Sequence, residues 1–278
     1  MIQRYALVDS AQRVGFHARL DRLGVRYESL FDSYPEQKHK DIAPLLFHWA
    51  DDDAVSREVV GLARTRPAVC VIGTKLSLRE LADRFRAFHL VKIPHGRRLI
   101  LRWYDTRILP CWLDTLDLEQ RATFLYGIES WHFFNRFGIQ VDLNIPSKRP
   151  EFPALPPIEL TEEQYQFLLD GAQVDMHIQR LRKIIPDEIR NVPYPVLYPF
   201  LDGHLIQAHK QGIIGLDDCT QYLLLALYTS GNFQNSPVVK DLLSGWRSGL
   251  ESFSDFISSL PEEIWYSGVP LWSARHVD

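Results

Sequence analysis

Cysteine is scarce in this 278-residue chain: Cys70, Cys111 and Cys219 are three in number, widely spaced and without a CxxC pair. That excludes a disulfide framework and a structural zinc, and fits a reducing compartment with each thiol serving as a small apolar residue. Long apolar runs are missing too. The longest, Tyr222 to Tyr228, falls far short of the ~20 residues a membrane span needs. The stretch after Met1 passes directly into a strand-like run with no signal-peptide core, so the expected location is the cytosol. No GxSxG elbow, HExxH, Walker loop or GxGxxG is present, which removes the common hydrolase, metalloprotease and nucleotide-binding signatures. Net charge is only −4, with 23 Lys+Arg and 19 Asp+Glu in residues 1–155 against 8 and 16 in 156–278. The basic excess of the first half is too small and too evenly spread for a nucleic-acid footprint. The opposed halves make the chain a dipole.

With 46% hydrophobic residues, the chain can build a core without staples. Its first half alternates short strand-like and helical segments. Tyr5-Ala6-Leu7-Val8, the run 44–49 and the run 68–73 read as buried strands, the first followed by a helix to about Arg22 with Gly24 as its C-cap. A helix over 77–88 carries Leu78, Leu81, Phe85 and Phe88 on one face, and 89–93 with 98–104 form a hairpin about Pro94-His95-Gly96-Arg97. Helices over 106–116 and 118–126 and strands over 129–134 and 139–143 complete this half. The pattern predicts an α/β lobe, a mixed sheet with flanking helices, over residues 1–145.

Residues 145–157 hold five prolines and read as an extended linker, placing the domain boundary at 146–157. Beyond it the pattern is helical: an all-α bundle over 158–278. Thr161-Glu162-Glu163-Gln164 is a capping box opening a helix with Tyr165, Leu168, Leu169, Ala172 and Met176 on its apolar face, stopped by Pro186. Helices over 196–210 and 217–230 end at Gly212 and Gly231, and Ser236-Pro237 opens a fourth.

Candidate chemistry is sparse. Asp51-Asp52-Asp53 has the residue type for a divalent cation, but such a run is more often a solvated loop. His204 and His209, five apart, do not share a helical face, and nothing local pairs Cys111 with a histidine. No metal or cofactor is expected. Arg102-Trp103-Tyr104-Asp105-Thr106-Arg107 stands out: either Asp105 caps a helix from Thr106, or it holds Arg107 or Arg102 as a charged pair.

The N-terminal lobe resembles the Tap-type adaptors, the effector chaperones of type VI secretion. The resemblance rests on four strings in order: Tyr5-Ala6-Leu7-Val8-Asp9; Tyr27-Glu28-Ser29-Leu30-Phe31-Asp32; Asp41-Ile42-Ala43-Pro44-Leu45-Leu46; and Arg102 to Leu109, where Thr106 replaces the usual proline. It singles out Tyr5, Asp9, Tyr27, Phe31, Asp32, Pro44, Arg102, Tyr104, Asp105 and Arg107 as partner-binding or motif residues. It implies a non-enzymatic cytoplasmic adaptor of a Gram-negative bacterium. Its partners would be the C-terminal extension of a VgrG spike and a cognate toxic effector, with no nucleic acid, membrane or cofactor. Two alternatives stay open. One is a hydrolase-like or metal-dependent enzyme using the strand-end Asp9, Asp32 and Asp105; the other is an immunity protein that neutralises a toxin.

Overall fold

The computed structural model describes residues 1–32, 36–50, 53–145, 157–245 and 253–273. Its packing divides into two compact units, Met1–Gly171 and Ala172–Asp278.

The first unit is built on a six-stranded sheet of order β2-β3-β1-β4-β7-β8. The strands are β1 (Gln3–Asp9), β2 (Tyr27–Ser29), β3 (Pro44–His48), β4 (Val69–Thr74), β7 (Ile128–Phe134) and β8 (Gln140–Asp142). β5 (Leu90–Lys92) and β6 (Arg98–Ile100) form a separate hairpin. Between them run helices α1 (Phe16–Arg22), α2 (Ala54–Thr65), α3 (Leu78–Arg86), α4 (Leu109–Thr115) and α5 (Leu118–Phe124). The expected sheet with flanking helices is therefore present, and its ladders run antiparallel throughout.

The unbroken apolar runs of β1 and β4 are buried on both faces, whereas β7 mixes buried residues with half-buried ones and the exposed Ser130. Gly24 takes the left-handed conformation (φ 65°) expected of a C-cap glycine. Gly73 sits where the β4–β7 register shifts, and a Cβ there would press on the Ser130 hydroxyl, which would have to turn away. The hairpin is shorter than its apolar pattern implies. Beyond Leu101, whose N–H still bonds His89 O, Trp103 and Tyr104 turn into the core and bury both aromatic rings.

Residues 146–156 of the proline-rich segment lie outside the described residues. The division of packing falls later, at Gly171, because Ile158, Leu160 and Leu168 join the first unit's core. Lys92 N–H donates to Ile158 O at 2.9 Å, and Leu160 N–H to Lys92 O at the same distance. The Thr161/Gln164 capping box is formed, opening α6 (Glu162–Ile184). Its apolar face differs from the expected one: Leu169 and Met176 are exposed, while Leu168, Val174, Ile178 and Leu181 are buried. The helix carries apolar residues on more than one side, and only packing decides which side is covered.

The second unit contains the rest of α6 with α7 (Pro186–Arg190), α8 (Tyr194–Lys210), α9 (Leu216–Thr229), α10 (Pro237–Gly245), α11 (Phe253–Ser259) and α12 (Glu262–Trp265). It is the expected helical region. α9 lies at its centre, with Tyr222, Leu223, Leu225, Ala226 and Leu227 all fully buried. His177 is buried against Thr220, 3.1 Å from its hydroxyl, and burial pushes its pKa down to about 4.

Candidate functional site

The four strings of the first unit come together in space. β3 lies between β1 and β2, with Asp9 opposite Pro44 and Tyr27 opposite Phe47. The fourth string closes over the end of β1. Arg102 Nη2 donates to Asp9 Oδ2 at 2.7 Å and lies 3.8 Å from Asp105 Oδ2. Asp105 is gripped by Arg107 through a two-pronged contact, Nε to Oδ1 at 3.0 Å and Nη2 to Oδ2 at 2.6 Å. Both carboxylates are 0% exposed, whereas Arg102 and Arg107 keep 40% and 21% of their side chains in solvent.

Asp105 does not cap a helix starting at Thr106. α4 begins at Leu109, and Asp105 Oδ1 instead accepts the N–H of Arg107 at 3.1 Å in an Asx turn. Thr106, in place of proline, donates its hydroxyl to Phe134 O at 2.5 Å and its N–H to Pro67 O. Asp9 caps the following turn through Ala11 N–H. Burial pushes the Asp9 carboxyl up, against the pull of the Arg102 guanidinium. Burial also raises the Tyr104 phenol, whose ring centroid lies 5.9 Å from the Arg102 guanidinium carbon.

Tyr5 is fully buried, its hydroxyl donating to Leu76 O at 3.0 Å. Phe31 is buried edge-on against His89 and Tyr104, at 5.5 and 6.2 Å. Burial, with the Arg86 charge beside it, pushes His89 down to about 4. Tyr27 and Asp32 are placed differently. With Phe31 they line a shallow cleft of about 230 Å³ shared with His17, Lys40 and Leu45.

Asp32 belongs to a second charged knot absent from the sequence reading. Arg86, at the end of α3, reaches Asp32 at 2.6 Å, Glu28 at 3.0 Å and Asp83 at 2.6 Å, and donates twice to Ser29 O. Only Asp83, three residues earlier on the helix, was a signal legible locally. The three strand-end aspartates thus do not form one cage: Asp9 and Asp105 share Arg102, and Asp32 sits on Arg86. Asp53 of the acidic run caps α2, and Asp51 and Asp52 lie outside the described residues. Among the described residues no group of three His, Cys, Asp or Glu is placed to hold a metal. No described helix is long and apolar enough to cross a membrane.

Residues 4–123 match the model of a family described as a domain of unknown function (DUF4123). The matched stretch holds all four strings and ends before β7. No curated protein and no solved structure matches the chain.

Of the singled-out residues, Tyr5, Asp9, Phe31, Pro44, Tyr104 and Asp105 are buried. Phe31 also lines the cleft, and the other five side chains are enclosed by the framework. Tyr27, Asp32, Arg102 and Arg107 keep exposed parts.

Proposed function

We propose that this protein is an adaptor that binds a toxic effector and recruits it to the VgrG spike of a type VI secretion system, acting in the cytoplasm and without catalysis. The observation that carries this reading is that the four adaptor-like strings, all inside the matched residues 4–123, pack on one another: the third pairs with the first and second as neighbouring strands, and the fourth is salt-bridged to the end of the first. Strings far apart in the chain that pack as a single unit support a shared ancestral lobe better than chance similarity of short segments does. The buried carboxylates there are neutralised by guanidinium groups, an arrangement suited to holding a shape.

The test is co-purification of the full chain with a spike carrying its C-terminal extension and with the effector encoded beside it. A ternary complex, with spike capture of the effector dependent on this protein, is the expected result. Capture that proceeds without it would overturn the reading. Inhibition of the toxin by this chain alone would assign it as an immunity protein. The first unit is proposed to grip the spike and the helical unit to select the effector. Removing residues 172–278 should then abolish effector binding and spare spike binding.

A further inference from the structure

The edges of the first unit's sheets are not equivalent. At β2, Leu30 N–H donates to Pro44 O, so the alternating pattern turns Ser29 O away from β3, and the Arg86 guanidinium covers it. In the hairpin, Ile93 N–H bonds Arg97 O and Leu101 N–H bonds His89 O, which turns Leu90 and Lys92 outward on β5. Residues 158–160 cover that side through the two Lys92 bonds. The same alternation turns the N–H and C=O of Arg98 and Ile100 outward on β6, where they have no hydrogen-bond partner among the described residues.

The side chains around that edge are equally unmet. Ile100 and Leu90 form an opposed apolar pair on the outer face, 46% and 38% exposed, and Leu99 is 37% exposed at the rim of the inner face. Arg97 and Arg98 are exposed and make no ion pair among the described residues, while Lys92 is paired with Glu159.

We propose that β6 is a docking strand, which accepts an extended acidic and apolar segment of another protein as a further strand of the hairpin sheet. Backbone bonds from Arg98 and Ile100 would set the register. Apolar residues of the segment would cover Leu99 and Ile100, and carboxylates would meet Arg97 and Arg98. A second copy of this chain fits poorly, because self-pairing of β6 brings the arginines of both copies together. The site does not rest on the adaptor reading, and its test uses no spike or effector.

The probe is a fluorescein-labelled peptide repeating two valines and two glutamates, which gives each face of the added strand both an apolar and an acidic residue; it is added to the full chain and followed by anisotropy, with amide exchange read at Arg98 and Ile100. Salt-sensitive binding with protection of those amides is expected. A valine–lysine peptide and a backbone N-methylated copy should bind about tenfold more weakly or not at all. Ile100→Pro removes the outward N–H without breaking an internal bond, and Arg98→Glu reverses the charge; each should weaken binding about tenfold at an unchanged melting temperature. Equal binding of the lysine, N-methylated and glutamate peptides would overturn the proposal, as would binding unaffected by Ile100→Pro. Concentration-dependent dimers lost in Ile100→Pro would also overturn it, by making a second copy the occupant. Should Ile100→Pro fail to fold, the N-methylated peptide decides on the parent protein.

Discussion

Two guanidinium-centred knots hold the first unit together, and they differ in depth. At the end of β1, Arg102 and Arg107 serve carboxylates that are 0% exposed. At the end of α3, Arg86 serves Asp32 and Asp83, which are 52% and 58% exposed. The chemistry is the same, but the consequences are not. A buried carboxylate has already lost its water and depends on its partner, whereas a rim carboxylate falls back on solvent. The deep knot therefore ties distant segments rigidly, and the rim knot mainly covers an edge and closes one side of a cleft.

Asp105→Asn should break the contrast most severely. It removes the two-pronged acceptor of Arg107, and a loss of about 3 kcal/mol in the first unit is expected from a urea melt. A midpoint within error of the parent would reduce Asp105 to its Asx turn, which asparagine makes nearly as well.

Acidification probes the interior side of the rim knot, where His89 lies beside Arg86. Its folded-state pKa of about 4 lies below the ordinary 6.5, so the unfolded chain takes up the proton first. Stability is full above that ordinary value and falls as pH drops toward the folded one. Between neutral pH and about pH 5 the loss from this group is about 2 kcal/mol. Urea melts of His89→Phe at both pH values should show a flatter dependence than the parent; an identical slope would place the sensitivity elsewhere, His177 of the helical unit being the next group to replace.

Asp9→Asn should cost less than Asp105→Asn, about 1 kcal/mol, although both carboxylates are buried. Burial holds the Asp9 carboxyl up, so its charge is less favoured where it stands, and the amide oxygen still accepts from Ala11. Equal losses at the two positions would show that the knot acts as one unit, which the double variant would quantify.

The smallest effect is expected at the rim. Asp32→Asn leaves Arg86 with Glu28, Asp83 and Ser29 O, and should shift stability by no more than about 0.5 kcal/mol, less in high salt. A larger shift would make the rim knot as structural as the deep one.

Local signals were read well where they are local. The strands at 44–49 and 68–73, the Gly24 cap and the capping box at Thr161 depend on neighbours a few residues away, and each lies where the pattern put it. Of the candidate site, the pairing of Asp105 with Arg107 was legible, because the two lie two residues apart. What escaped was the linkage of Asp9 to Arg102 and of Asp32 to Arg86, because those partners lie far apart in the chain and no periodicity connects them. The apolar face of α6 escaped for a related reason: the helix offers more than one, and its neighbours choose.

The chain's order of residues sufficed for the α/β and helical regions and for the caps at Gly24 and Thr161, since short-range backbone chemistry and apolar periodicity govern these. Burial was a different matter. Whether a motif residue is framework or surface depends on which segments close over it, and so does the openness of β6 where β2 and β5 are covered. Those outcomes follow from contacts between residues remote in sequence, which only the folded arrangement brings within hydrogen-bonding reach.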